Sequence, residues 1–143
     1  MNVTKNILKL SNQVCFPLYA ATRQITKIYR PLLEQLDVTY PQYLVLLVLF
    51  EEETVTVKEL GEKLYLDSGT LTPMLKRMEE HGLVERRRSS VDERVVDVSL
   101  TNKGRGKEKQ AEEIPIKFSK EILLEQDEFE ELKRLLTKIL DQV

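Results

Sequence analysis

The 143-residue chain carries one cysteine, Cys15, and one histidine, His81. A thiol that ionises can attack an electrophile, bind a metal or pair with a second thiol, and each outcome needs particular company. A single cysteine excludes an intrachain disulfide, and one Cys with one His leaves too few ligands for a Cys/His zinc site. Any catalytic triad would have to take its imidazole from His81, so neither enzyme chemistry of that kind nor a cofactor is expected. A solitary cysteine is ordinarily core filler. Here Tyr19 stands four residues on, one helical turn along the same face, where its hydroxyl can reach the sulfur. No Lys, Arg or His adjoins Cys15, so thiolate formation would fall to hydroxyl donors and, if the regular helix begins near Pro17, to its N-terminus.

The second reactive set is cationic. Residues 70–109 hold ten Lys and Arg against seven Asp and Glu, a local charge of +3, while the rest of the chain stands at -5 and the whole at -2. Such an excess alone reads as solvated surface. The order of elements around it decides whether it meets phosphate.

Those elements are legible from spacing. With 41% hydrophobic and 32% charged residues, the chain is expected to form one globular domain, or one small domain with extensions for assembly. The longest apolar run, Tyr43 to Phe50, falls far short of the ~20 residues that cross a bilayer. Met1 to Leu10 lacks the continuous apolar stretch of a secretory signal, so no membrane partner and a cytoplasmic location are expected. Residues 11–36 keep helical spacing, with Leu18, Ile25, Leu32 and Leu36 on one side and Pro17 either starting or bending the rod. Thr39 caps a second helix that runs into the Tyr43 to Phe50 core. Thr56 and Glu59 form a capping box for a third, and Asp67 or Ser68 caps a fourth, Gly69 to His81, closed by Gly82. Leu83 to Arg88 and Arg94 to Leu100 read as strands joined by a polar tip. Thr101 caps a fifth helix, loosened by Gly104 and Gly106 and interrupted at Pro115. A last helix aligns Phe129, Leu132, Leu135, Leu136, Ile139 and Leu140.

Two short helices with a tight break, followed by a hairpin with a basic tip, describe a winged helix-turn-helix over roughly residues 37–100. The fold class is therefore mainly α, with helices flanking that unit. In such a unit the second helix of the pair enters the DNA major groove by its N-terminal residues. Ser68, Gly69, Thr70, Thr72, Pro73, Lys76 and Arg77 become the reading surface, while Leu71, Leu75 and Met78 pack inward. Arg86, Arg87, Arg88 and Arg94 are assigned to phosphate or the minor groove. Asp92, two residues before Arg94, orients that arginine for insertion, unless the two make only an ordinary surface ion pair. The expected partner is double-stranded operator DNA.

The run from Leu64 to Met78, followed by Asp92, Glu93 and Arg94, resembles the MarR family. Cys15 and Phe16 with Tyr19, Tyr29 and the run from Thr39 to Tyr43 resemble its one-cysteine organic hydroperoxide sensors, the OhrR-type repressors. The likeness covers about residues 12–103, and Pro17 stands where many relatives have an aliphatic residue. It implies a dimer with two winged lobes in which organic peroxide oxidises Cys15 and DNA is released, Tyr29 and Tyr40 being the hydroxyls that hold the thiolate.

Those roles constrain the assembly. Tyr29 lies ~21 Å from Cys15 along a continuous helix, so a site using both spans two subunits. An isologous dimer whose first helices cross antiparallel satisfies this. Residues 1–36 and 101–143 are then dimerisation helices and residues 37–100 the DNA-binding lobe. Oxidation gives a sulfenic acid, which, with no second cysteine in the chain, forms a mixed disulfide with a small thiol, cyclises with a backbone nitrogen or oxidises further. A bulky adduct at a subunit junction would spoil a lobe spacing of one DNA turn, ~34 Å. Two other readings stay open. One is a ligand-gated regulator binding a small aromatic effector in the inter-lobe cleft, with Cys15 structural; the other is a thiol peroxidase, against which stands the lack of Arg, Thr or His near Cys15.

Overall fold

The computed structural model describes residues 6–142, so the part of the signal-peptide reading that falls on residues 1–5 lies outside it. A 3-10 turn at Leu10–Asn12 precedes helix α1 (Cys15–Leu33), which tightens into a second 3-10 turn at Glu34–Leu36. Then follow α2 (Tyr40–Glu52), β1 (Thr54–Thr56), α3 (Val57–Leu64), α4 (Ser68–Glu80), β2 (Val84–Arg88) and β3 (Val96–Leu100). A C-terminal arm of α5 (Asn102–Arg105), α6 (Glu108–Ala111), α7 (Glu113–Glu121) and α8 (Gln126–Leu140) completes the chain. The class is mainly α with a winged helix-turn-helix, as the sequence predicts.

The first helix is shorter than its spacing predicts. Its regular part begins at Cys15, and Pro17, as the third helical residue, forgoes an N–H that would have had no partner there. Asp37, at φ 53°, turns the chain into α2, where Thr39 and Gln42 cap reciprocally. Thr56 and Glu59 do the same for α3, and Asp67, not Ser68, caps α4 by accepting from the Thr70 N–H at 2.8 Å. The spacing gives no hint of β1. Thr54–Thr56 becomes a strand because β3 lies alongside, with Val55 opposite Val98, in an antiparallel sheet of order β1-β3-β2. Thr101 caps α5 as expected, and the arm is interrupted at Glu112, just before Pro115, which has no N–H to give the Ala111 carbonyl four residues back. A further break falls around Gly106 and Lys107. Gly104 is required where the arm crosses the base of the hairpin, since a Cβ there would meet the Leu83 carbonyl oxygen at 2.1 Å.

Leu46 and Leu49 of α2, Leu60 of α3, Leu71, Leu75 and Met78 of α4 and Val84 and Val98 of the hairpin form the main core. Each such side chain contributes about 1.5–3 kcal/mol by leaving water. A second cluster of Leu33, Leu36, Tyr43, Ala111 and Ile114 ties the end of α1 to the arm. The start of α1 and the whole of α8 lie outside both. Val14, Phe16 and Leu18 are exposed, and α8 presents Leu132, Leu135, Ile139 and Leu140 on one face without burying any. No helix among the described residues is long and apolar enough to cross a membrane.

Candidate nucleic-acid interface and thiol site

Burial fixes the rotation of α4. Leu71, Leu75 and Met78 are fully buried, which turns Ser68, Gly69, Thr70, Thr72, Pro73, Lys76 and Arg77 to the exposed side. The first turn therefore offers hydroxyls, a glycine that permits close approach, and unpaired N–H groups at the positive end of the helix, all suited to phosphate. Gly82, at φ 76°, ends the element, and the arm holds this end. Lys103 Nζ donates to the His81 carbonyl at 2.7 Å and the Thr101 hydroxyl donates to the Gly82 carbonyl. The cation that meets the carbonyls at the end of α4 is thus Lys103.

In the wing, Arg87 and Arg88 are exposed, Arg87 pairing loosely with Glu85 and Arg88 donating to the Glu93 carbonyl at 2.9 Å. At the tip, Asp92 Oδ1 accepts from the Arg94 backbone N–H at 3.0 Å and from Nε at 3.1 Å, and Oδ2 accepts from Nη2 at 3.2 Å. These bonds hold the Asp92 carboxyl below its usual range and leave the Arg94 side chain 90% exposed, extended from the tip. Arg86 behaves differently: it turns back onto Glu79 of α4 with its side chain 24% exposed.

The thiol site is divided. Cys15 is exposed as the first residue of α1, whose N-terminus has no side-chain cap, and Tyr19 is exposed one turn on, under the Arg23 guanidinium. At the far end of α1, Tyr29 packs against Tyr40 with ring centroids at 4.6 Å and against Tyr43 at 5.9 Å, and stacks on Phe118 at 4.4 Å. Burial among these rings pushes the Tyr29 hydroxyl up to about 12, with Tyr40 and Tyr43 adding to it, and burial raises Tyr40 as well. Both phenols stay protonated and able to donate. The fold thus brings Tyr29 and Tyr40 together and leaves Cys15 ~21 Å and Tyr19 ~15 Å away along the same helix. Tyr43, buried as the sequence predicts, is also part of this cluster; Phe118 has no local signal, because only the return of the arm places it there. Beside the cluster a cavity of about 490 Å³ is lined by Arg30, Glu34, Asp37, Tyr40, Arg77 and His81, among others.

A capped reading helix with a hydroxyl-rich first turn, beside an arginine-tipped hairpin, defines the class: a winged-helix, DNA-binding transcriptional regulator. Residues 27–111 match the family of transcriptional regulators SarA/Rot. The chain is 61% identical, over 108 residues, to the organic hydroperoxide resistance transcriptional regulator of Bacillus subtilis strain 168, spanning 76% of this chain and 74% of that protein. Among solved structures it is similar to reduced AbfR bound to DNA, AbfR being a Staphylococcus epidermidis protein, with a TM-score of 0.82 and 37% identity over 99% of each chain. It is also similar to a MarR variant from E. coli complexed with operator DNA, with a TM-score of 0.77 and 28% identity over 98% of this chain and 99% of that one. The chain belongs to the SarA/Rot family of transcriptional regulators and is a MarR-type, OhrR-like member of that class of proteins, a class of regulators rather than enzymes.

Proposed function

We propose that the chain is a homodimeric repressor that binds double-stranded operator DNA in the cytoplasm and releases it when an organic hydroperoxide oxidises Cys15. The observation that carries this is the division of the thiol site, with an exposed cysteine at one end of α1, protonated phenols of Tyr29 and Tyr40 at the other, and unburied Val14, Phe16 and Leu18 beside the cysteine. A second copy laid antiparallel would cover that apolar face and bring its phenols to the first copy's sulfur. Residues 1–36 and 101–143 then serve dimerisation, while residues 37–100 place α4 in the major groove and Arg94 in the minor groove. The name of the Bacillus subtilis relative supports the choice of oxidant.

Chemically, the Cys15 thiolate attacks the outer oxygen of the hydroperoxide. The O–O bond breaks, the sulfur becomes sulfenic acid, and the peroxide leaves as an alcohol after taking a proton. A small thiol then attacks the sulfenic sulfur, forming a mixed disulfide and expelling water. The adduct is bulkier than the thiol and lies at the junction of the first helices, so it alters the ~34 Å spacing of the lobes. Mass spectrometry and DNA binding followed on one sample test this order of events: loss of DNA tracks the mixed disulfide, whereas release at the sulfenic stage without a small thiol would remove the adduct from the mechanism.

The 490 Å³ cavity favours a second reading, in which a small aromatic effector acts on α4 through Arg77. It predicts effector-driven release in a Cys15→Ser protein, which the oxidation mechanism excludes.

A further inference from the structure

We infer that Arg86 is not a phosphate contact but a positioning residue: with Glu79 it forms a strut that sets the angle between the reading helix and the wing. The inference rests on the proposed DNA-binding role of those two elements. One carboxylate makes both connections, Oε2 accepting from the Arg86 backbone N–H at 2.9 Å and Oε1 from its Nη2 at 3.2 Å. Glu79 belongs to the last turn of α4, and Arg86 is the central residue of β2, opposite Val98. Fixing both the main chain and the side chain of one strand residue to one helix residue leaves the hairpin neither free to slide along α4 nor to twist about it. Beyond that anchor the hairpin runs to Arg94, so the strut decides where the tip lies relative to the first turn of α4.

Exposure separates Arg86 from its neighbours. Its side chain is 24% exposed, against 79% for Arg87 and 90% for Arg94, and its Nε is buried without a partner. A guanidinium with one nitrogen sealed from water and another on a carboxylate is turned away from any phosphate. The sealed Nε is a cost that two charge-assisted bonds to Glu79 offset.

The two roles predict opposite signs. Near DNA, neutralising a free carboxylate improves binding, and Glu79→Gln would also release Arg86 toward phosphate. The strut predicts that Glu79→Gln weakens binding by about tenfold, with the dependence of log K on log salt unchanged because no phosphate contact is lost. Arg86→Lys, which keeps the charge but not the paired geometry, weakens it similarly; a phosphate contact would tolerate lysine. The probe is a duplex selected from random-sequence DNA by the wild-type protein, with circular dichroism confirming that each variant is folded. Arg94→Ala is then measured in both backgrounds. A displaced wing cannot deliver Arg94, so its removal costs less in Glu79→Gln than in wild type, whereas a loss of folded protein alone leaves that cost intact. Tighter binding by Glu79→Gln, a salt slope that falls by about one in Arg86→Ala, or additive costs would overturn the strut while leaving the DNA-binding reading standing. Failure of the wild type to select any duplex would overturn both.

Discussion

Tyr29 is where burial alters the chemistry most. Its hydroxyl is displaced from an ordinary 10.0 to about 12, chiefly because the surrounding rings exclude the water a phenolate needs. The sign of the linked stability follows. Between those values the folded chain keeps a proton that the unfolded chain has released, so the contribution is fully present below pH 10 and is lost as pH rises toward 12. Following phenolate absorbance in an alkaline titration should show late components from Tyr29, Tyr40 and Tyr43, the latest of which Tyr29→Phe removes; an unchanged titration in the variant would assign that latest component to another phenol. In the proposed dimer the same substitution should slow oxidation of Cys15, because it would remove a donor to the partner's sulfur.

Between elements, the wing depends on a few charge-assisted bonds. Among the described residues Arg94 pairs with Asp92 and its side chain is 90% exposed, so in the proposed DNA-binding role Arg94→Ala should weaken DNA binding by about 1–3 kcal/mol and lower the salt slope by about one, with no change in thermal unfolding. Normal binding by the variant would remove the wing from the mechanism. The elements that carried their own local signals were legible in the sequence: the Thr39 cap, the Thr56–Glu59 capping box, a cap at Asp67 or Ser68, the Gly82 stop and the inward stripe of Leu71, Leu75 and Met78. What could not be read was tertiary. Thr54–Thr56 is too short to be a strand without β3 beside it, and Arg86 looks like its neighbours until Glu79 is folded against it. Phe118 reaches Tyr29 only because the arm turns back. Of the proposed sensing residues, Cys15 and Tyr19 were legible as neighbours one turn apart, whereas the grouping of Tyr29 with Tyr40 rested on resemblance until the fold put their rings 4.6 Å apart.

At the scale of the whole molecule, most of the unburied large apolar residues lie toward the two ends of the described chain, around Cys15 and along α8, with Leu47, Tyr65, Val91 and Ile116 exposed between them. Because no residue of α8 is fully buried within one chain, replacing Leu135 and Ile139 together by Glu should leave each chain folded yet separate the proposed dimer in sedimentation equilibrium. With one lobe instead of two, DNA affinity should fall by at least about a hundredfold. A variant that remains dimeric would move the interface away from α8. The central claim is that one sulfur per chain governs DNA occupancy, and it is tested most directly by titrating the operator-bound protein with cumene hydroperoxide in the presence of a small thiol. Wild type should release DNA at about one equivalent per Cys15 and rebind it after reduction, while Cys15→Ser holds DNA throughout. Release from Cys15→Ser at the same peroxide concentration, or a wild type that keeps its DNA after the thiol is consumed, would contradict the account.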